Sequence, residues 1–433
     1  MDSTRSPPGS VRRHGRNVSH AVPQRATRGP LEDATDDPLA VTSQSPSVAQ
    51  GDLTSPVVPS VEMKTSTSAD LPKARPTNSP RPPISLQFLQ SRSIYQAIPA
   101  DGIPNPFLAS DNRPGPETEL PDLLKGGHFR RAAERAVKDL LESPPNAAET
   151  ILQLLYVRLA CLILISRPDL AAAEAGPLTD LFARNPPGAE DVIALVSWDL
   201  RLLLVRLQSI GAADGGRRGI MALYALAGEV RSKLRAARFH KDDAAISTCS
   251  ARLQDLGLIV CDTLVEMGEL ETATRHLDTL SGMNEDELAY RKALLRVRVG
   301  DVNGAREYAV KIQDQTRKRS FEALLKISAG DFSSALDAWQ TLASEDPADE
   351  LLAQNTAISL LYTGQILSAR TMLEDLAQRL PTFPTLLFNL STVYELCTER
   401  AVDRKTQLVH QSAAKAPSSD SGGWERSTFE FKL

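Results

Sequence analysis

Cysteine is scarce in this 433-residue sequence, which contains four. The four are far apart and form no C-x-x-C pair, whereas zinc sites need closely spaced cysteine and histidine ligands. The spacing therefore predicts no metal centre, and scattered free thiols are typical of a reducing compartment. The residues are Cys161, Cys249, Cys261 and Cys397.

Long apolar runs are also missing. The longest, residues 151–165, is shorter than the roughly 20 residues of a membrane-spanning helix, and it contains Arg158. A second stretch, residues 192–207, is interrupted by charged residues. We predict that both are buried helices. No apolar run follows the basic N-terminal residues, so no signal peptide is expected.

Motifs of catalysis and cofactor binding are absent as well. There is no Walker loop and no G-x-G-x-x-G, H-E-x-x-H or G-x-S-x-G motif, and the six histidines are isolated. We therefore expect no cofactor and no enzymatic activity, and an unrecognised site within residues 120–250 is the remaining enzyme hypothesis. With 42% hydrophobic residues, 5% aromatic residues and a net charge of −5, the chain is typical of a Leu- and Ala-rich helical protein, and no nucleic-acid partner is expected.

What the sequence does contain is a repeat. The pattern G-x-x-x-x-A occurs four times, and two of its glycines are followed by a proline 17 residues later. This pattern is typical of the tetratricopeptide repeat (TPR), a helix–turn–helix unit of about 34 residues that buries its apolar face only by stacking on its neighbours. The predicted fold is an all-α, TPR-type solenoid with an extended concave face that binds other proteins. The repeat positions are Gly268 and Ala273; Gly300 and Ala305; Gly330, Ala335 and Pro347; and Gly364, Ala369 and Pro381.

The unit spanning residues 316–349 illustrates the role of each position. Ala323 is small enough to let the neighbouring helix approach, and Gly330 ends the first helix because a left-handed residue without a Cβ is unstrained. Trp339 is predicted to fill the groove between helices, and Pro347 prevents the second helix from continuing. The next unit repeats this arrangement with Ala357, Gly364, Ala369 and Pro381.

The segments outside the clear repeats differ in composition. Residues 1–83 are rich in Pro, Ser and Thr and are predicted to be disordered; their Ser-Pro pairs are either kinase sites or chance occurrences. Residues 84–118 contain many apolar side chains, and they dock either on the chain's own helices or on a partner subunit. Residues 119–250 are predicted to form irregular helical repeats. Residues 251–410 are predicted to form TPR repeats with a capping helix at about 382–398, and residues 411–433 are predicted to form a flexible tail.

A basic run lies near the end of a helical segment. It consists of Arg231, Lys233, Arg235, Arg238, His240 and Lys241. A solvated helix C-terminus, which cations stabilise through the helix dipole, is the favoured interpretation. Contact with anionic lipid or nucleic acid is the alternative.

One class of TPR proteins binds the C-terminal carboxylate of chaperones through Lys, Asn and Arg side chains. The corresponding positions here are Tyr290, Leu294, Ser320 and Leu324. These residues argue against a chaperone-tail receptor and favour docking of a helical or extended segment of another subunit.

The C-terminal third carries two further motifs. The first is LLAQNTAISLLYTG at residues 351–364, with Asn355, Ala357, Tyr362 and Gly364 among its characteristic positions. The second is LLFNLSTVYEL at residues 386–396, with Phe388, Asn389, Tyr394 and Glu395. In both motifs the chain resembles the subunit 12 family of the trafficking protein particle (TRAPP) tethering complex.

The resemblance implies a non-catalytic scaffold subunit of the TRAPP III assembly, which activates a Rab-type GTPase in ER–Golgi traffic and autophagy. Its implied partners are accessory subunits 8, 11 and 13 and the core assembly. The implied location is cytoplasmic, with peripheral association at Golgi and ER–Golgi membranes. In the motif, Asn389 bonds either a partner's backbone or a neighbouring loop. A TPR adaptor or peptide-tail receptor of another cytosolic complex is the alternative function.

Overall fold

The computed structural model describes residues 85–100, 103–184, 189–210, 216–416 and 418–419. The predicted disordered tail and its Ser-Pro pairs, and most of the predicted C-terminal tail, lie outside these residues. The described residues form a short 3-10 helix at Gln87–Gln90 and eighteen α-helices, and they contain no β-strand.

The helices follow one another in chain order. They are α1 (Asn105–Leu108), α2 (Leu120–Lys125), α3 (Phe129–Glu142), α4 (Ala148–Leu164), α5 (Pro168–Arg184), α6 (Ala189–Leu195), α7 (Trp198–Leu207), α8 (Arg217–His240), α9 (Asp243–Glu266), α10 (Leu270–Thr279), α11 (Glu285–Val299), α12 (Val302–Ala309), α13 (Gln315–Ser328), α14 (Phe332–Glu345), α15 (Glu350–Tyr362), α16 (Ile366–Arg379), α17 (Pro384–Cys397) and α18 (Ala401–Ala414). From α7 onward every helix packs against the next one, as expected for stacked helical hairpins.

The turn inside each repeat hairpin depends on a glycine in the left-handed conformation. Gly330 has φ +79° and lies between α13 and α14, and an added Cβ would meet no atom within 4 Å. The backbone angle, and not the available space, therefore selects glycine at this position. Asp331 then starts α14 by accepting a hydrogen bond from the Ser334 amide at 3.1 Å.

Small residues mark the places where helices cross. The second-helix alanines of the four repeats are completely buried, and Ala323 and Ala357 on the first helices are at most 1% exposed. Trp339, which is 1% exposed, fills the space between α14 and its neighbours. The four fully buried alanines are Ala273, Ala305, Ala335 and Ala369.

Residues 85–100 pack on the chain's own helices α3, α4 and α5. Leu86 and Leu89 are completely buried in the same cluster as the apolar residues of α4. The guanidinium of Arg158 binds both carboxylate oxygens of Glu174, at 2.8 and 2.6 Å, and donates to the carbonyl of Gln96 at 2.9 Å. Because both charged groups are buried and satisfied, this pair fixes the segment to α4 and α5.

The same segment continues to the other end of the array. Phe107, 3% exposed, packs in one cluster with Leu408 and Val409 of α18. The Ser110 hydroxyl donates to the Ala413 carbonyl at 2.5 Å, and the Asn112 amide donates to the Ala414 carbonyl at 2.9 Å. The first and last helices of the described chain are thus in contact, which the repeat pattern did not predict.

The end of the array differs from the expectation that the capping helix at about 382–398 is the last helix. That expectation was wrong, because α18 follows α17 and packs against it. Lys415, just after α18, donates to the carbonyls of Gln378 and Leu380 at 3.0 and 2.8 Å, so it also caps the C-terminus of α16. Burial lowers the pKa of this ammonium group.

Candidate protein-interaction surface

Helices α15 and α17 are the first helices of the last two hairpins. Their direct link is a hydrogen bond of 3.0 Å from the Asn389 amide to the Gln354 side-chain oxygen. First helices of successive repeats run in the same direction, so positions 34 residues apart in the sequence are neighbours on the surface. Gln354 and Phe388, and likewise Tyr362 and Leu396, therefore occupy equivalent positions on the two helices.

Exposed apolar side chains are concentrated on this face. Leu351 is 59% exposed, Tyr362 63%, Phe388 41% and Leu396 56%. Soluble proteins rarely expose contiguous apolar patches without a binding role. We refer to Leu351, Gln354, Tyr362, Phe388, Asn389 and Leu396 as the α15–α17 face.

Tyr362 is held in place by the preceding hairpin. Its ring stacks on that of Phe332 with the centroids 4.5 Å apart and the planes within 6° of parallel. A rigid aromatic ring presents contact area to a partner at low entropic cost, as is typical of binding hot spots.

The other predicted motif residues serve the interior. Tyr394 is 5% exposed, and its hydroxyl donates to a Glu374 carboxylate oxygen at 3.0 Å. Burial raises the pKa of Tyr394, and the neighbouring Glu374 raises it further. Glu395 accepts a hydrogen bond of 2.6 Å from Lys405, which is buried on α18. These residues join α16, α17 and α18.

The hydrogen bond that Asn389 makes differs from both of the bonds expected for it. Its amide binds the side chain of Gln354 on the adjacent helix, and it does not bond a loop. Asn355, the equivalent residue of α15, is half-buried beside Gln354. The two motif asparagines thus lie at the same level of neighbouring helices.

The polar residues that complete this site were missed in the sequence. Gln354, Glu374 and Lys405 each bind a motif residue, but they lie 35, 20 and 10 positions from their partners. Nothing in the spacing of a single repeat marks such pairs. One such pair could be predicted from the sequence. Gln354 and Phe388 are 34 residues apart and so occupy equivalent repeat positions, which places Gln354 near Asn389, the residue after Phe388.

The positions of the chaperone-tail clamp carry no cationic cradle. Tyr290 and Phe321 pack edge to face with their centroids 6.1 Å apart. Arg317 lies over the Tyr290 ring, 4.9 Å from its centre, and binds Glu287 at 2.8 Å. A cation engaged in this way is a poor receptor for a free carboxylate.

The cysteines and histidines give no reactive cluster within the described residues. Burial raises the pKa of the Cys261 thiol to about 11, so the thiol stays protonated and unreactive at neutral pH. Its sulfur lies 3.8 Å from the Ala273 carbonyl at a helix crossing. Among the described residues there is no group of three metal-ligating side chains and no helix long and apolar enough to cross a bilayer.

Taken together, stacked helical hairpins, buried repeat alanines and left-handed hairpin glycines define a TPR-type helical repeat protein, and this fold fits a non-enzymatic protein. The chain is similar to the trafficking protein particle complex subunit 12 of mouse, with 26% identity over 132 residues, which cover 28% of this chain and 17% of that protein. The human subunit 12 matches at 26% over 134 residues, 28% of this chain and 18% of that protein.

The chain therefore aligns with less than a fifth of the length of these curated relatives. No protein-family model matches it. Among solved structures, a tetratricopeptide repeat protein from Parabacteroides merdae matches 61% of this chain and 99% of its own length at 15% identity, with a TM-score of 0.37. At that TM-score the likeness adds nothing to the assignment of the fold.

Proposed function

We propose that this protein is a non-catalytic scaffold subunit of a TRAPP III-type vesicle-tethering complex. The observation that carries the proposal is the similarity to TRAPP subunit 12 in mouse and human. The resemblance in the motif at 386–396 supports it, because two of the motif residues, Phe388 and Asn389, lie on the α15–α17 face.

In this role the chain supplies binding surface and no chemistry. Exchange activity toward the Rab-type GTPase belongs to the small core subunits, and this chain contacts accessory subunits 8, 11 and 13. It acts in ER–Golgi traffic and autophagy and associates with Golgi membranes as a peripheral component. The occupant we assign to the α15–α17 face is another subunit of the complex, docked through a helical or extended apolar segment.

The test is affinity purification of the tagged full-length chain from its native cytosol, with mass spectrometry of the recovered proteins. We expect TRAPP core and accessory subunits in constant proportion. Recovery of chaperones or other clients without any TRAPP subunit would overturn the assignment and leave a TPR adaptor of another complex.

A pair of variants tests the face itself. Phe388→Asp places a charge at the centre of the α15–α17 face, and we expect it to remove the co-purified subunits while leaving the helical content unchanged. Leu367→Asp is the matched control, because Leu367 is 62% exposed but lies on α16. Equal recovery with both variants would show that the complex binds elsewhere on the chain.

A further inference from the structure

The hairpin of α8 and α9 is longer than its neighbours. Each of its helices has 24 residues, or about 36 Å at 1.5 Å per residue, whereas the repeat helices α10–α18 have 8 to 15 residues. A hairpin of this length extends past shorter helices unless both of its ends are covered.

Within the described residues, the contacts from neighbouring helices lie mainly toward the Gly216 end of the hairpin. On one side, Arg206 of α7 binds Glu266 at 3.0 Å, and Trp198 at the start of α7 lies under Arg252, 4.7 Å away. On the other side, Gln254 binds the Gly282 carbonyl just after α10 at 2.6 Å. Beyond these contacts lies the hairpin tip, residues 235–248, whose side chains are exposed except for a few that pack between α8 and α9.

The tip presents an aromatic ring among cations. Phe239 is 84% exposed, and its ring meets the adjacent ring of His240 edge on, with the centroids 5.2 Å apart. Arg235, Arg238 and Lys241 surround it and are exposed. None of the three belongs to an ion pair within the described parts of the chain.

The acidic residues nearby are already engaged by the second helix of the hairpin. Asp242 accepts a hydrogen bond from the Ala245 amide at 3.0 Å, and Asp243 lies in the first turn of α9, where the helix dipole favours a negative charge. Residues 231–252 contain six lysines and arginines and only these two aspartates. The local charge is therefore positive in a chain whose net charge is −5.

We propose that the α8–α9 hairpin tip is a membrane-contact site, in which Phe239 enters the headgroup region of an anionic bilayer while Arg235, Arg238 and Lys241 bind lipid phosphates. An exposed aromatic ring flanked by cations is the chemistry of interfacial anchoring. A projecting hairpin tip with a single aromatic ring suits a flat surface such as a bilayer. Single-stranded nucleic acids instead bind in grooves that are lined by several aromatic side chains. The acidic remainder of the chain stays away from a negative surface when only the tip touches it.

The experiment is co-sedimentation of the purified full-length chain with phosphatidylcholine vesicles, with and without about 30% phosphatidylserine. We expect binding that requires phosphatidylserine and falls as salt is added. Reversing Arg235, Arg238 and Lys241 to glutamate should weaken binding on the order of 100-fold, since each cation near an anionic surface contributes about fivefold. Phe239→Ala should weaken it about three- to tenfold.

Matched variants keep the outcome clear. Reversal of Arg275, Arg298 and Arg400, which are exposed elsewhere, changes the net charge by the same amount. Met221→Ala removes an apolar side chain that is 68% exposed from the other end of α8. Both should bind like the unmodified chain. Equal losses for tip and control variants, equal binding to neutral vesicles, or tip-dependent binding to duplex DNA without vesicle binding would each overturn the proposal. Because no other subunit is present in this assay, its result is independent of the co-purification test.

Discussion

The helices before α10 and the repeat helices after it are held together by different means. In the first region, which contains helices of 4 to 24 residues, a buried ion pair, Arg158–Glu174, and a docked segment tie α4 to α5. In the second region, similar hairpins repeat the same buried alanine and the same left-handed glycine, and ion pairs such as Arg319–Glu345 lie at the surface. The repeats gain stability from many equivalent interfaces, whereas the first region depends on a few specific ones.

The difference predicts where single substitutions are most harmful. In a repeat array, the free energy of unfolding is approximately the sum of similar contributions from each repeat and each interface. The loss of one contact therefore removes only a small part of the total. Where one buried pair joins two helices and a distant segment, its loss leaves a charge in an apolar site. The following predictions test this contrast, from the largest expected effect to the smallest.

Removing one partner of the buried pair should have the largest effect. Arg158→Ala leaves the Glu174 carboxylate uncompensated, and we expect a loss of about 3–5 kcal/mol in the free energy of unfolding, measured by chemical denaturation. The double variant Arg158→Met with Glu174→Leu should recover most of that loss. Arg319→Ala, which breaks the exposed pair in the repeats, should cost less than about 1 kcal/mol. Equal losses for the two single variants would contradict the contrast.

Loosening the contact between the first and last helices should have an intermediate effect. Phe107→Ala removes a buried ring from the cluster with Leu408 and Val409, and we expect a cost of about 3 kcal/mol. Hydrogen exchange should rise in α18 and stay unchanged in α12 and α13. Phe88→Ala is the control on the same segment, since Phe88 is 39% exposed. Unchanged exchange in α18 after Phe107→Ala would show that this contact does not hold the helix.

A pair of glycine substitutions should have the smallest effects, with opposite signs. Gly330→Ala forces an alanine into a left-handed conformation at φ +79°, so we expect a loss of about 1–2 kcal/mol. Gly228 lies in the interior of α8 with nothing within 4 Å of an added Cβ. Gly228→Ala should therefore stabilise the chain by about 0.5–1 kcal/mol. Thermal unfolding of the two variants, with melting temperatures shifted in opposite directions, is the check.

The repeats could be predicted from the sequence because their signals are local. Gly300, for example, follows the last residue of α11 at φ +90°, and five positions later Ala305 is fully buried. The glycine and the alanine belong to one hairpin, and the geometry of its turn alone requires this spacing. The all-helical fold follows from these positions and from the alternation of helical segments with glycines and prolines.

The remaining features depend on contacts between distant positions. Arg158 meets Gln96 across 62 residues, and Ser110 meets Ala413 across 303. Helix α18 was missed because it follows α17 after a short connection without glycine and gains its burial from Phe107 and α17. Of the motif residues, Tyr394 and Glu395 bind Glu374 and Lys405, which no pattern within one repeat reveals.

The contact between α1 and α18 also has a consequence for the order of folding. Helical repeats normally fold quickly because nearly all their contacts are local, and either end of an array is free to fray. Here α18 buries its apolar side chains only after it meets a segment some 300 residues earlier in the chain. The entropic cost of closing this long loop therefore falls on this step. We therefore expect α18 to become protected in a slow final phase, well after the hairpins between it and α9 have formed.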